Sequence, residues 1–436
     1  MWAYESVFYQ IYPLGCCGAP EENDGVEVPR IRKVMDWIPH ILSLNANAVY
    51  FCPVFESDRH GYDTRDFTRL DCRLGNNEDF ADVCAALHRA GIRVVLDGVF
   101  NHVGRGFWAF QDVLRQRENS PYRDWFYLRF DGNNRYNDGL WYEGWEGHEE
   151  LVKLNLRNPE VTDHLLNSVQ SWVKQFDIDG LRLDVAYSLD QGFVERLREF
   201  CDKVKPDFFL VGEMLHGDYN RLLGDRLLHS VTNYECYKGL YSSFNSHNLF
   251  EIAHSLQRQF GPESWTLYKD KHLFCFADNH DVTRIASLLQ DMRHLDLLYA
   301  LLFSMPGIPC VYYGSEWGAI GCKGGASDAP LRPCFEHPLS SSLTHWISRL
   351  AAVHREQTAL CYGDFRTLCL TNEQFVFRRR YDSQTVIVAL NAADYPYTAH
   401  FDAEAGRAVD LLTGEDHDFG GGSVLPPFSA AYWRTE

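Results

Sequence analysis

The chain has 436 residues, of which 45% are hydrophobic, and its formal net charge at pH 7 is −19. This length supports one large domain with accessory domains, and the acidic balance argues against a nucleic-acid partner. No run of about 18 apolar residues exists, so no membrane span is predicted, and the N-terminal stretch does not read as a signal peptide. The 13 cysteines are odd in number and scattered, which favours a reduced, cytoplasmic protein over a disulfide-bonded one.

Short apolar segments alternate with helical patterns along most of the chain. The eight segments lie at 7–13, 46–55, 92–100, 180–186, 208–214, 230–235, 272–279 and 308–316. Between the second and third segments, apolar residues repeat with the period of an amphipathic helix at Phe80, Val83, Cys84 and Leu87, and Gly91 follows. Buried strands that alternate with helices indicate a parallel sheet covered on both faces. Eight such units predict an α/β fold, a (β/α)8 TIM barrel.

Two further regions depart from this alternation. Residues 103–150, after the third strand, hold 4 of the 11 tryptophans and show no clean period. They predict an inserted loop subdomain over the C-terminal face of the barrel. Past about residue 359 strands follow one another without helices, which predicts a C-terminal antiparallel β-sandwich domain. The predicted domains are thus a barrel (1–102 and 151–358), an insertion (103–150) and a C-terminal domain (359–436).

The four tryptophans of the insertion divide into two pairs. Trp141 and Trp145 could either stack on a ligand or pack in the subdomain core, and the sequence leaves this open. Trp108 and Trp125 are predicted to be core residues, because aromatic side chains more often bury themselves than bind a ligand.

Polar residues stand at the ends of several predicted strands. They are Asp97, Asn101 and His102 after the third strand, Arg182 and Asp184 at the fourth, Glu213 at the fifth, and His280 and Asp281 at the seventh. Any one of them could be a hydrogen-bonded strand cap. In a barrel, however, the C-terminal strand ends meet at one mouth, where such residues are typical of a catalytic site. Three carboxylates that converge there favour catalysis over capping.

Paired carboxylates are the groups that glycoside hydrolysis needs. One ionised carboxylate attacks the anomeric carbon, and a protonated one donates to the leaving oxygen. Arg182, two residues before Asp184 on the same strand face, is predicted to hold that aspartate ionised. Glu213 has apolar neighbours in the sequence, which are expected to raise its pKa and suit it to the acid role.

Four segments carry a resemblance to a known family. "DGVFNH" (97–102), "GLRLDVAY" (180–187), "VGEM" (211–214) and "FADNHD" (276–281) resemble, in order and spacing, the signature regions of the α-amylase family of retaining glycoside hydrolases. The resemblance implies a TIM-barrel enzyme that acts through a covalent glucosyl-aspartate intermediate.

The resemblance also implies a role for individual residues. Asp184 would be the nucleophile, Glu213 the general acid/base and Asp281 the third catalytic carboxylate. The implied substrate-binding residues are Tyr62, His102, Arg182, His216, His280, Asp328 and Arg332. Asp97 would be a mainly structural carboxylate behind the site.

Further features point within the family. "VKLN" (152–155) and His216 resemble the cyclomaltodextrinase, neopullulanase and maltogenic amylase group. The first predicted strand begins at about residue 7, so the N-terminal β-domain of that group is not expected, and a monomer and a homodimer both stay open. The expected activity is endo-type hydrolysis of α-1,4 bonds in maltodextrins or cyclodextrins. The alternatives are an α-amylase, an α-glucosidase or oligo-1,6-glucosidase, a transglycosylase, and a non-catalytic, transporter-associated barrel.

No cofactor is expected, and calcium needs separate treatment. Many members of the family bind a structural calcium through the asparagine that matches Asn101 and a histidine four residues after the nucleophile. Here Ser188 occupies the second position and Tyr187 precedes it. A calcium site of the usual type is therefore not expected, although another oxygen cage is compatible with the sequence.

Overall fold

The computed structural model describes residues 1–324 and 327–435, and eight parallel strands form its centre. They are β1 (Phe8–Ile11), β2 (Ala48–Phe51), β3 (Arg93–Gly98), β4 (Gly180–Leu183), β5 (Phe209–Gly212), β6 (Ser230–Val231), β7 (Phe274–Phe276) and β8 (Ile308–Tyr312). Each strand pairs with its neighbours in chain order, and β1 pairs with β8. A parallel bridge between Thr232 and Phe274 joins β6 to β7. The predicted TIM barrel is confirmed.

Helices surround the barrel on the outside. The longer ones are Val34–Ser43, Asn77–Arg89, Pro159–Phe176, Gln191–Val204, Tyr234–Asn245, Phe250–Phe260, Leu295–Ser304 and Ser342–Glu356, and the short ones are Pro13–Cys16, Ile285–Leu288 and Thr358–Tyr362. The connection from β5 to β6, which is described throughout, contains only the 3-10 turn Tyr219–Arg221. Within the described chain, none of the helices has the length and apolar character that crossing a bilayer requires.

The helix Asn77–Arg89 shows how sequence fixes these elements. The side chain of Asn76 accepts hydrogen bonds from the N–H groups of Glu78 and Asp79, which caps the first turn. Phe80, Val83, Cys84 and Leu87 are buried. Gly91 follows the helix with a φ of 77°, a left-handed conformation that glycine adopts without a steric cost.

The insertion after β3 is a small subdomain. It contains the helix Trp108–Gln116 and the short strands His102–Gly104, Leu128–Arg129, Trp141–Tyr142, Gly144–Trp145 and His148–Lys153. Trp125 is buried, as predicted, whereas Trp108 is 37% exposed and packs edge-on against Trp125. The strand His148–Lys153 pairs with His102–Gly104, so the insertion is attached to the barrel next to the end of β3.

The C-terminal region forms two antiparallel sheets of unequal size. The larger has six strands in the order Arg366–Leu370, Gln374–Tyr381, Gln384–Asn391, Ser429–Thr435, Arg407–Asp410 and Asp416–Asp418, and the smaller pairs Tyr397–Ala399 with Ser423–Leu425. Phe375 and Phe377 pack toward the barrel, while Val376 between them packs with the smaller sheet. Residue 436, at the end of the predicted domain, lies outside the described residues.

Trp172 is a large anchor of the packing between helices and barrel. It is 1% exposed, its ring stacks on Phe55 with centroids 4.4 Å apart, and its Nε1 donates to the carbonyl of Phe67 at 2.6 Å. The helix Pro159–Phe176 is thereby fastened to the segment that follows β2.

Trp172→Ala should reduce the free energy of unfolding by about 3–5 kcal/mol, because it leaves a cavity and an unpaired carbonyl. Chemical denaturation monitored by circular dichroism measures the change. The matched control is Trp265→Ala at a side chain that is 57% exposed, where a loss within about 0.5 kcal/mol is expected. Equal losses at the two positions would contradict the anchoring role.

Candidate active site

A buried guanidinium lies at the centre of the predicted site. Arg182, on β4, is 4% exposed, and its Nη1 donates to the two carboxylate oxygens of Asp97 at 3.0 and 3.1 Å. The same nitrogen donates to Oδ1 of Asp184 at 2.9 Å, and Nη2 lies 2.8 Å from Oε1 of Glu213. Three carboxyl groups from neighbouring strand ends therefore share one cation.

Burial and this shared cation act in opposite directions on the two predicted catalytic carboxyl groups. Burial raises the pKa of Asp184 well above its ordinary range and also raises the pKa of Glu213, while Arg182 lowers both. The sequence predicts that Arg182 holds Asp184 ionised, but it does not indicate a contact with Glu213. In the structure the guanidinium lies as close to Glu213 as to Asp184. The two groups therefore titrate as a coupled pair.

The backbone after Asp184 turns sharply, and this turn contacts Glu213. Val185 has a φ of 39°, a left-handed conformation that a β-branched residue adopts only when its surroundings enforce it. Its N–H donates to Oε2 of Glu213 at 3.0 Å. The predicted acid is thus held at one oxygen by a backbone amide and at the other by Arg182.

His102 is a neutral donor beside the predicted nucleophile. Its Nδ1 accepts from the side-chain amide of Asn101 at 3.1 Å, so Nε2 carries the hydrogen, and Nε2 lies 3.8 Å from Oδ2 of Asp184. Burial lowers the pKa of His102 to about 3, which keeps the imidazole uncharged at neutral pH. Within residues 1–324 and 327–435, Nε2 has no hydrogen-bond partner. This donor can therefore serve a ligand in the cavity.

Asp281 lies between two cations. Its Oδ2 is 2.9 Å from Nε2 of His280, and its Oδ1 is 2.9 Å from Nη2 of Arg332. Arg332 also reaches Asp328 at 3.3 Å. Burial would raise the pKa of Asp281, but His280 and Arg332 hold it well below the ordinary range. Conversely, burial lowers the pKa of His280, but Asp281 raises it to about 10.

Aromatic rings hold His280 in place. The ring of Tyr62 stacks on the imidazole with centroids 5.6 Å apart, and the ring of Tyr12 does so at 6.0 Å. The hydroxyl of Tyr62 donates to Asp97 at 3.0 Å and contacts Nε2 of His280. Tyr62 therefore connects the Arg182 cluster with the pair that His280 forms.

These groups surround a cavity of about 490 Å³ at the C-terminal face of the barrel. The predicted site residues in its wall are Tyr62, His102, Asp184, Glu213, Asp281, Asp328 and Arg332. Arg182 and His280 are buried behind this wall. His216 is exposed, packs against the ring of Tyr187 and lines a neighbouring cavity instead. It can therefore meet only a ligand that extends beyond the catalytic cavity.

Part of the cavity wall is not predicted from the sequence, namely His148 and Glu150 of the insertion and Tyr234, which follows β6. Trp145, for which the sequence leaves ligand stacking and core packing open, also lines the cavity. Trp145 stacks on His148 with ring centroids 5.4 Å apart and faces the cavity, whereas Trp141 is exposed elsewhere on the insertion. Tyr234 could have been predicted to line the cavity, because it is a polar residue that follows a strand. The insertion has no periodicity from which its cavity-facing residues could be chosen.

Of the two positions considered for calcium, one keeps the residue that the family uses. Asn101 donates its side-chain N–H to the imidazole of His102, which leaves its Oδ1 as an oxygen ligand, whereas serine occupies position 188 in place of histidine. Among the described residues, ligand atoms of Glu56, Asp71 and Cys72 lie within 4.8 Å of one another. Asp71, however, is already paired with a buried guanidinium at 2.7 Å. We therefore assign no chemical step to a metal.

Comparison with known proteins gives consistent matches. The family model described as "Alpha amylase, catalytic domain" matches residues 21–360. A cyclomaltodextrinase of Thermoanaerobacter pseudethanolicus is 31% identical over 413 residues, which cover 89% of this chain and 70% of that protein. Neopullulanase 2 of Thermoactinomyces vulgaris is 31% identical over 449 residues, which cover 95% and 74%. The solved cyclic α-maltosyl-(1→6)-maltose hydrolase of Arthrobacter globiformis is 27% identical, with a TM-score of 0.85 and 100% of both chains covered.

Asp281→Asn should lower the pKa of His280 from about 10 to below its ordinary value, because burial then acts without the compensating carboxylate. An NMR titration of histidine-labelled protein measures the change. His229, at the N-terminal end of β6, has a pKa that burial lowers to about 4 and should titrate alike in both proteins. An unchanged His280 would show that Asp281 is not its charge partner.

Proposed function

Since the chain belongs to the alpha-amylase family of glycoside hydrolases, we propose that it is a retaining, endo-acting enzyme for α-1,4-glucosidic bonds in maltodextrins or cyclodextrins, of the cyclomaltodextrinase or neopullulanase type. The observation that carries this proposal is the meeting of Asp184, Glu213 and Asp281 in one cavity wall. The similarity to a cyclomaltodextrinase and a neopullulanase supports the substrate class. The proposed site of action is the cytoplasm.

The cavities beside the catalytic cavity support endo action. A cavity of about 270 Å³ shares His60, Asp328 and Arg332 with the catalytic cavity. On another side, a cavity of about 540 Å³ shares Leu215 and Tyr234 with it. A sugar chain can therefore continue beyond the cleaved bond in both directions. A closed pocket, in contrast, would favour removal of single terminal units.

The proposed first step uses the coupled carboxyl pair. Asp184 attacks the anomeric carbon, the glycosidic C–O bond breaks, and Glu213 gives its proton to the leaving oxygen. Because both carboxyl groups contact Arg182, they lie close together, as retaining enzymes require at a separation of about 5–5.5 Å. The pair needs one proton in total, and burial of both groups favours its retention.

In the second step water resolves the glucosyl-aspartate. Glu213, now ionised, accepts a proton from the water molecule that attacks the anomeric carbon, and Asp184 leaves as a carboxylate. Arg182 stabilises the negative charge on whichever carboxyl group carries it, because it donates to Asp184 and forms an ion pair with Glu213. These residues supply the chemistry, so we propose that the reaction needs no cofactor.

The remaining polar groups would hold the sugar at the cleavage point. The free Nε2–H of His102 is a donor for a sugar hydroxyl beside Asp184. Asp281 is held ionised and can accept from hydroxyl groups, and the ring of Tyr62 offers an apolar face. The charge-assisted hydrogen bonds that Asp281 would accept strengthen as positive charge develops on the sugar ring.

Transglycosylation is the second candidate activity, and the larger neighbouring cavity favours it. A sugar hydroxyl that binds in the 540 Å³ cavity beside Leu215 and Tyr234 could intercept the intermediate in place of water. His216 lines that cavity and would meet such an acceptor. The non-catalytic alternative is disfavoured because both Asp184 and Glu213 are present in the cavity wall.

A product profile tests the proposal. The protein is expected to open β-cyclodextrin and cleave maltotriose faster than it hydrolyses starch, with products retaining the α configuration, as chromatography and polarimetry would measure. Asp184→Ala, as the inactive control, should abolish all of these activities while leaving the circular dichroism spectrum intact. Starch as the best substrate would identify an α-amylase instead, and cleavage of maltose or isomaltose a glucosidase. Longer oligosaccharides among the products would reveal transglycosylation.

Glu213→Gln should affect substrates according to their leaving groups, because an amide cannot donate the required proton. We expect a loss of roughly 10²–10⁴-fold in kcat/KM on maltotriose and a much smaller loss on an activated aryl maltoside, whose leaving group needs no acid. Steady-state kinetics on the two substrates measures the difference. Equal losses on both would argue against the acid role.

A further inference from the structure

Gln10 is a buried polar residue of the site that the proposed mechanism does not use. It lies on β1, is 3% exposed, and its side-chain amide is 2.8 Å from Nδ1 of His280. The same amide is 3.2 Å from the sulfur of Cys52. The backbone of Gln10 pairs with Tyr50 on β2 and with Tyr312 on β8, so its position is fixed by the barrel itself.

The contacts of the other ring nitrogen determine where one hydrogen of His280 lies. Nε2 of His280 contacts Oδ2 of Asp281 at 2.9 Å and the hydroxyl of Tyr62. A carboxylate can only accept, and the hydroxyl of Tyr62 gives its own hydrogen to Asp97 at 3.0 Å. Nε2 must therefore carry a hydrogen in order to satisfy both partners.

Nδ1 is the ring nitrogen that can gain or lose a hydrogen, and the side-chain amide of Gln10 is its hydrogen-bond partner. A neutral imidazole with its hydrogen on Nε2 accepts from the amide nitrogen of Gln10. A charged imidazolium donates from Nδ1 to the amide oxygen instead. A carboxamide has both a donor and an acceptor, and a half-turn of its terminal group exchanges them. Gln10 can thus satisfy Nδ1 in both charge states of His280.

A carboxylate at this position would act differently. The site already contains Asp97, Asp184, Glu213 and Asp281 around the guanidiniums of Arg182 and Arg332. A further negative charge would bind the proton on Nδ1 permanently and would add repulsion to an acidic cluster. A glutamine provides the hydrogen bond without the charge.

We propose that Gln10 is a positioning residue, which keeps the imidazole of His280 oriented with Nε2 beside Asp281 and beside the sugar that Asp281 would hold. The other charged or titratable groups that face the imidazole are Asp281, Tyr62, Tyr12 and Cys52, and Arg332 donates to the backbone carbonyl of His280 at 3.1 Å. Among these contacts, Gln10 holds Nδ1. The catalytic part of this inference rests on the proposed glycosidase function.

Two substitutions separate orientation from packing. Gln10→Met keeps the length of the side chain but removes both hydrogen-bonding functions, whereas Gln10→Glu keeps an acceptor and removes the donor. Gln10→Met should lower kcat on maltotriose by roughly 10–100-fold with a smaller change in KM, because the ring can leave its productive orientation. Gln10→Glu should retain more activity, and the alkaline limb of its pH profile should move to higher pH.

An NMR titration of histidine-labelled protein gives a readout that does not need catalysis, with the His280 signals assigned through His280→Gln. The pKa of His280 should rise in the order Gln10→Met, wild type, Gln10→Glu, because Nδ1–H loses its amide acceptor in the first and gains an anionic one in the last. The matched controls are Gln374→Met and Gln374→Glu at a glutamine of the C-terminal domain that is 2% exposed. These should reduce thermal stability without changing kcat or the His280 titration.

The results distinguish a failure of the positioning role from a failure of the proposed function. If Gln10→Met leaves kcat/KM and the His280 titration as in the wild type, the positioning role is overturned, even if the protein is less stable. A wild-type protein that hydrolyses none of the α-glucans would overturn the proposed function alone. The order of the three His280 pKa values would then still support or overturn the assignment of Gln10.

Discussion

The buried guanidinium of Arg182 is the constraint on which the site depends. In the barrel register Arg182 lies directly beside Asp97 on β3 and beside Val211 on β5, two residues before Glu213. A cation at this depth is stable only if carboxylates surround it, and removal of one partner from a buried pair costs about 3–5 kcal/mol. The parallel register brings those carboxylates to it from three adjacent strands. The residues that balance the charge of Arg182 are therefore also the ones to which the proposed mechanism assigns the catalytic steps.

A second charged cluster lies opposite the first and is built differently. Asp281 receives its positive partners from its neighbour in sequence, His280, and from Arg332, far along the chain. The hydroxyl of Tyr62 touches Asp97 of the first cluster and His280 of the second. Tyr62 therefore links the two clusters through one hydroxyl group. Preorganised charges of this kind act on a transition state without a cost of reorganisation.

Periodicity and strand ends explain why much of this architecture could be predicted. The eight apolar segments became β1–β8, and the polar residues that follow them met at one mouth, because parallel strands all end on the same face. Contacts between distant residues were not predictable in this way. The hydrogen bond of Val185 to Glu213 needs a left-handed turn that no local preference of valine announces.

Other features of the site that the sequence does not predict also depend on contacts between distant residues. The contact between Arg182 and Glu213 depends on the spacing of neighbouring strands. The position of His216 outside the catalytic cavity depends on the path of the connection from β5 to β6, which lacks a regular helix. The cavity-facing side of Trp145 depends on how the insertion folds back onto the barrel. Sequence patterns indicate which face of a helix or strand is buried. The features named here depend instead on which helices, strands and loops contact one another in the folded chain.

Asp278 shows that a residue can shape the site without facing it. It is 1% exposed and accepts from the hydroxyl of Ser315 at 2.8 Å, while the guanidinium of Arg284 donates to that same hydroxyl at 3.2 Å. Arg284 in turn donates to the carbonyl of Leu331 at 3.0 Å, one residue before Arg332. This buried chain of polar contacts fixes the backbone from which Arg332 reaches Asp281. Because β7 carries both Asp278 and Asp281 at its end, one strand end presents the third carboxylate and anchors the cation that keeps it ionised.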